Sequence, residues 1–447
     1  EAEATVGRKI LEELVQVGYI ENDTVPEACA EHVQQLLGLA LKLNEKTTLK
    51  KSVIIKLLAF EIERYLFPNE LSEHMVSVLY QTLAGYVEPK NAYPQERFAT
   101  ELHLASRKVL LEESDDALLN AHLRKTFGLW WEASLENPAI LQEVADRIKK
   151  ENELVESMLS SPVIHKIANR IKNEALFFSF VRQLIDEKGN QALTVLEDKA
   201  LLTDYIENKV ATLYPNQRQR IVEAGTRAVV YLFITKVLLG VALELPYDLL
   251  VYGSVHYVAL LINVLFFPAL LYVMVITAPR PKPKNTDRII VGISQAVHMD
   301  PADNKVVYVP TAPWSTSQQI LIACFYIPLF VLSFGTIVLI LHHLHFNVVS
   351  MALFLFFLCI VTYFGLRLRY KARRYIVEYT EESTLRFLIH LARLPLVRTG
   401  RFISQKLARI NIFILILDGI IETPFKILLG SFDQFVSFVK DTRRDLL

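Results

Sequence analysis

Apolar and polar positions recur with a helical period through residues 1–215. In "ATVGRKILEELVQVGYI", Val6, Ile10, Leu11 and Leu14 fall on one stripe, the signature of a helix that buries one face. Start signals recur as well. Thr24 and Glu27 bracket Pro26, Asn137 precedes Pro138, and Ser161 precedes Pro162; each pattern pairs a capping side chain with a proline that tolerates the first helical turn. "LFPNEL" and "VEPKNAYP" read as breaks between helices. The pattern predicts roughly nine or ten helices and no fixed-length repeat. "KSVIIKLLAFEIERYL", residues 51–66, is apolar nearly all round and is expected to be the central helix of this domain.

The pattern then changes. Four greasy stretches follow: "RAVVYLFITKVLLGVALELPYDLL", "SVHYVALLINVLFFPALLYVMVITAP", "ILIACFYIPLFVLSFGTIVLILHHL" and "NVVSMALFLFFLCIVTYFGLRLRYKARR". The second holds 20 uncharged residues between His256 and Thr277, enough to cross about 30 Å of hydrocarbon. The first is less regular. Its apolar run, residues 228–242, would cover only about 22 Å, and Lys236 interrupts it. Beyond lie Glu244, Pro246 and Asp248. It is expected to complete a span, with the acids either facing a helix bundle or resting at the outer interface. On a regular helix, eight residues separate Lys236 from Glu244 by about 12 Å and about 80°. A charge at the centre of a span costs roughly 2.5–3.5 kcal/mol and usually finds a partner. Lys236 is therefore expected to meet one on another helix, on a neighbouring subunit, or in water.

Charge orients the spans. Residues 237–279 contain no Lys or Arg, and neither does "HHLHFN". Arg218, Arg220 and Arg227 precede the first span, Arg280, Lys282, Lys284, Arg288 and Lys305 lie in the middle connection, and Arg367, Arg369, Lys371, Arg373 and Arg374 follow the last span. Basic residues collect on the cytoplasmic side. The expected fold is an all-α polytopic membrane protein with four transmembrane helices in two hairpins. Its expected parts are an N-terminal cytoplasmic helical domain (1–215), hairpin 1 (216–278), a cytoplasmic loop (279–318), hairpin 2 (319–370) and a basic amphipathic helical tail (371–447). Both termini are expected in the cytoplasm, and the membrane is expected to be a bacterial cytoplasmic membrane.

In the middle loop, a stiff "PRPKPKN" precedes "RIIVGIS" and "KVVYVPT". Both read as β-like, and a small β-hairpin is expected across the turn "DPADN". Trp314 stands where interfacial tryptophans gather. In the tail, Arg386 and Arg393 share a face, and Arg398 and Arg401 follow. Such a helix is expected to lie on the anionic inner leaflet, joining the contacts of Arg367, Arg369, Lys371, Arg373 and Arg374. In "INIFILILDGIIETPFKILLGSFDQF", Asp418, Glu422 and Lys426 recur every four residues, which suits an interfacial or bundle-packed helix over residues 412–430 more than a span.

Composition adds bounds. Lys plus Arg and Asp plus Glu each number 48, so nothing pulls the chain toward nucleic acid. Cys29, Cys324 and Cys359 are scattered and suggest buried thiols rather than a disulfide framework. No P-loop, GxGxxG, HExxH or GxSxG pattern occurs, so the residues point to no enzyme class and no cofactor. The chain begins at Glu1 rather than methionine; it is expected to have been processed or shortened, and no signal or transit sequence is legible at that end. "DPADN" reads as a turn, and Trp130 and Trp131 as packing residues.

Two candidate sites remain. Lys236, Glu244 and Asp248 would line a polar pathway. His342, His343 and His345 of "HHLH" would form an outer metal or proton site. The expected function is a non-enzymatic membrane-anchored scaffold or adaptor, with a cytoplasmic protein partner and anionic lipid beneath it. The alternative is a homo-oligomeric ion channel or small-solute transporter built on Lys236, Glu244 and Asp248.

Overall fold

The structure is a computed structural model and describes residues 6–21, 28–46, 50–128, 140–298, 306–312, 315–377 and 384–407. In chain order the elements are α1 (Val6–Gln16), α2 (Ala28–Lys46), α3 (Lys51–Leu66), α4 (Glu70–Ala84), β1 (Val87–Pro89), α5 (Gln95–Leu110), α6 (Asp115–Phe127), α7 (Leu141–Ser160), α8 (Pro162–Arg170), α9 (Lys172–Lys188) and α10 (Ala192–Glu197). They continue with α11 (Lys199–Leu239), a π turn (Gly240–Glu244), α12 (Leu245–Tyr252), α13 (Tyr257–Ile276), α14 (Pro283–His298), β2 (Val307–Val309), α15 (Thr316–His343), α16 (Val348–Ala372) and α17 (Thr384–Leu407). The chain forms two compact units. The first comprises residues 1–209 and 283–314, the second residues 210–282 and 315–447. The division falls inside α11.

In the first unit, α1, α2 and α3 close around Leu11, Ile20, Val33, Leu36 and Ile62. Helix α3 is not the central helix that its composition suggests. It buries one stripe, Ile54, Leu57, Glu61 and Ile62, while Ile55 and Tyr65 remain exposed. Ser161 and Pro162 start α8 as their spacing predicts, the Ser161 hydroxyl accepting from the Val163 amide at 3.2 Å. Arg107, almost fully buried, donates to the carboxylates of both Glu73 and Glu113. Burial alone would raise the Glu73 pKa; the hydrogen bonds and charge of Arg107 outweigh it and hold that carboxyl below its ordinary range.

The β-hairpin expected in the middle loop is not formed. Residues 288–294, "RIIVGIS", belong to α14, whose Asn285, Ile289, Ile290 and Ile293 are buried at helical spacing. The β-branched content suggested a strand, but β propensity is largely a statement about packing context. Here α9 supplies that context. Gly292 lies so close to the Phe177 ring that a Cβ would collide with it. Among the described residues of this loop only Val307–Val309 is a strand, and it pairs in parallel with β1, Val87 opposite Val307.

Among the described residues, four helices are long and apolar enough to cross a membrane: α11 continuing through the π turn into α12, then α13, α15 and α16. Phe267, Leu271, Val275, Phe354, Leu358 and Cys359 form the core of the second unit. Helix α17 packs along α16. A Cβ at Gly400 would collide with the Cys359 carbonyl, so the two backbones touch about halfway along α16. Helix α15 buries only Leu341 and meets α17 where Ser333 Oγ donates to the Ala392 carbonyl at 3.1 Å. Trp130, Trp131, Trp314, "DPADN", the Thr24 and Asn137 capping patterns and residues 412–430 lie outside the described residues.

A buried polar network as candidate functional site

Lys236, Glu244 and Asp248 all lie in the second unit, and all are buried. The helix carrying them does not stop at Pro246. Proline has no N–H to donate four residues back, and its ring crowds the carbonyl at that position, Ala242. The helix widens just before this point. The Leu245 amide bonds the Gly240 carbonyl, an i→i+5 closure, and regular α-helix resumes with Pro246 in its first turn. A π turn holds one extra residue, so everything beyond it is rotated back by about 100°. Glu244, the last residue of that turn, takes up most of this rotation, so the separation of about 80° expected from Lys236 is largely removed. The two charges face the same side.

That side meets α13 and α16. Lys236 Nζ donates to Asn263 Oδ1 at 2.9 Å. Asn263 Nδ2 donates to Glu244 Oε1 at 2.6 Å, and Ser350 Oγ donates to Glu244 Oε2 at 3.1 Å. Asn263 is fully buried, and Lys236 is 1% exposed. The Lys236 ammonium also sits over the rings of Phe267 and Phe357, 4.7 and 4.1 Å from their centroids, a cation–π cage of the kind worth more when water is excluded. The network extends one step further. Asn347 caps α16, its Oδ1 accepting from the Ser350 amide at 2.6 Å, while its Nδ2 donates to Asp248. One lysine and two carboxylates are thus held by three neutral side chains. Burying a charge is tolerated when it is both paired and hydrogen-bonded; each of the three is hydrogen-bonded, and Lys236 and Glu244 flank one shared amide, Asn263.

Three of these residues stand out in the sequence because they are charged. Asn263, Ser350 and Asn347 do not. A signal for Asn263 exists: it is the one amide side chain in "YVALLINVLFFPALLYVMVI". The π turn has no sequence signal beyond Pro246.

The other candidates are dispersed. His342, His343 and His345 are exposed, with the His345 ring parallel to that of His256 at 6.3 Å. Among the described residues, no group of three or more His, Cys, Asp or Glu could hold a metal ion. Arg369 donates to the Met274 carbonyl and to Thr277 Oγ1. Arg367, Lys371, Arg373, Arg374 and Arg401 are exposed. The Arg398 guanidinium lies 5.1 Å from the Tyr326 ring centroid, Arg393 is half-buried, and Arg386 falls in the first turn of α17. No family model matches this chain, and no curated protein or solved structure does either.

Proposed function

We propose that the chain is a multipass membrane protein acting as a non-enzymatic scaffold or adaptor. In this reading α11–α12, α13, α15 and α16 cross the bilayer as two hairpins. The first unit and both termini lie in the cytoplasm, where the first unit engages a protein partner, and the basic residues after α16 and on α17 meet anionic lipid. The lengths and hydropathy of the four helices support the spans, and the one-sided Lys and Arg distribution supports the orientation.

The observation that carries the scaffold reading is the closure of the Lys236 network. An ion path needs charged groups that face water. Here the ammonium is satisfied by Asn263 and two aromatic rings, and Glu244 by Asn263 and Ser350. The amide between lysine and carboxylate does not titrate, so it interrupts a direct proton relay. Such a network pins α11, α13 and α16 in one register, the best-attested use of buried polar groups. One observation favours the channel reading instead: the polar groups run on from Glu244 through Ser350 and Asn347 to Asp248.

Reconstitution separates the two. A scaffold in liposomes gives proton and cation flux no higher than empty vesicles. Flux from the wild type that Lys236→Met abolishes, in a variant that still folds, would replace the scaffold by a channel. Removing residues 1–215 should in turn abolish recovery of the partner with the membrane fraction; unchanged recovery would sink the adaptor role.

A further inference from the structure

The second unit has a cleft of about 350 Å³ lined by Tyr214, Gln217, Arg218, Arg280, Pro281 and Ala372, within the range of small-molecule sites, about 300–1,000 Å³. It lies where three of the long apolar helices end or begin. Arg218 is on α11, below its apolar run; Arg280 and Pro281 follow the end of α13; Ala372 ends α16. The walls are built from hydrogen bonds. Gln217 Nε2 donates to the Lys371 carbonyl at 2.7 Å. Arg218 donates to the Val275 and Ile276 carbonyls at 3.1 and 2.9 Å, adding to the Ala278 amide that already bonds the Val275 carbonyl at the end of α13.

Among the described residues, no carboxylate forms an ion pair with the two arginines that line this cleft, Arg218 and Arg280. Arg218 and Arg280 stand close enough to repel, and Arg369, Lys371 and Arg373 lie at the adjoining end of α16. The described residues of the second unit contain only three carboxylates, Glu223, Glu244 and Asp248. Glu244 and Asp248 belong to the network at the far end of the same helices. Glu223 pairs with Arg227 on the surface at 3.7 Å. Beside the cleft, Tyr272, Val273 and Ile276 present exposed apolar surface. A basic recess bordered by apolar helix surface fits a headgroup with its chains alongside, since basic pockets between spans bind anionic lipid headgroups.

We propose that this cleft binds the phosphate headgroup of an anionic phospholipid, with Arg218 and Arg280 as its ligands. The site rests on the reading of the long helices as membrane spans, though not on the scaffold role. The test uses the full chain in nanodiscs of phosphatidylcholine with and without phosphatidic acid, followed by native mass spectrometry of lipid retained on release. The wild type should keep phosphatidic acid over phosphatidylcholine. Arg280→Gln, at an exposed position, should lose about fivefold in retention, the factor expected for one basic group near an anionic lipid. Arg218→Gln should lose at least as much. Arg220→Gln, about 200° around the same helix, should lose nothing. Equal retention in wild type and Arg280→Gln, or an equal loss in Arg220→Gln, would overturn the site. Displacement of the lipid by inorganic phosphate in Arg280-dependent fashion, with no selectivity for phosphatidic acid, would overturn the lipid as ligand in favour of free phosphate. Failure to enter nanodiscs would overturn the membrane reading and the site with it.

Discussion

Two buried carboxylates, one in each unit, use the same neutral donor but different cations. Glu61 of α3 accepts from Asn120 Nδ2 at 2.7 Å, and Glu244 accepts from Asn263 Nδ2 at 2.6 Å. Their exposures are 3% and 2%. Arg124 approaches Glu61 at 3.3 Å with 30% of its own side chain in contact with solvent. Its charge keeps partial access to water, and Asn120 Nδ2 serves the carboxylate. Lys236 has no such exit. Its ammonium is buried with the carboxylate, and Asn263 bridges the two, accepting from one and donating to the other. A cation that can reach water contributes modestly and is lost cheaply. A cation enclosed with its partner must be cancelled within the fold, and losing it leaves the partner stranded.

The largest expected effect follows directly. Lys236→Met leaves Glu244 buried with no positive charge nearby, which should cost about 3–5 kcal/mol. Lys236→Met combined with Glu244→Gln should recover most of that loss, because neutral side chains of similar shape leave no stranded charge. Thermal unfolding of the four proteins of this cycle in detergent gives the coupling. Additive losses would mean that the two charges do not sense each other through Asn263, and the comparison would fail.

How much of this could be read from residues alone depends on which signals survive averaging. The four apolar helices are legible because each is a long run of one kind of residue. Lys236, Glu244 and Asp248 are legible because charges stand out against such a run. Asn263, Ser350 and Asn347 were missed because an uncharged polar side chain barely alters a hydropathy window, although it decides how a charge is satisfied. The facing of Lys236 and Glu244 was missed for a geometric reason: one extra residue in a π turn moves the register by about 100°, and nothing but Pro246 announces it. In the first unit the errors run the other way. "RIIVGIS" looked like a strand because of its β-branched residues, and α3 looked central because Ile55 and Tyr65 are apolar. Both depend on what packs against them, which a single segment does not contain.

The second expected effect concerns how water reaches the polar interior of the first unit. Burial, with the nearby charges of Lys125 and Arg107, lowers the His103 pKa from 6.5 to about 3. The folded chain therefore holds His103 neutral, while the unfolded chain takes up a proton below about pH 6.5. The folded pKa is depressed, so the contribution is complete above the unfolded value and is lost as pH falls toward 3, by up to about 1.4 kcal/mol per pH unit. Hydrogen exchange of α5 amides at pH 7 and pH 5 should show this loss in the wild type and a flatter response in His103→Gln. Equal slopes would assign the acid sensitivity to other groups, with the carboxyl of Glu73 the next to examine.

Arg124→Gln tests the member of the pair that keeps partial access to water. With the cation already partly in water and Asn120 still bonded to Glu61, the loss should be about 1 kcal/mol or less. The contrast with Lys236→Met is the quantity of interest. If Arg124→Gln proves as damaging as Lys236→Met, exposure of the cation is not what separates the two networks.

The smallest effect probes whether exclusion of water strengthens each individual bond. Ser350 donates to the same carboxylate as Asn263, from another helix and at a longer distance, 3.1 against 2.6 Å. Ser350→Ala removes that donor but leaves Lys236, Asn263 and the two aromatic rings in place, so Glu244 keeps its charge compensation. Hydrogen bonds between spans average only about 0.6 kcal/mol, because a helix already inserted but unpacked finds other partners. Ser350→Ala should therefore shift stability by about that amount, and the Asn347 cap, which uses the Ser350 backbone amide rather than its hydroxyl, should persist. A loss above about 2 kcal/mol in the detergent unfolding assay would mean that the three donors act as one unit. The value of the network would then lie in its completeness, and the Lys236–Glu244 charge pair would no longer suffice to explain it.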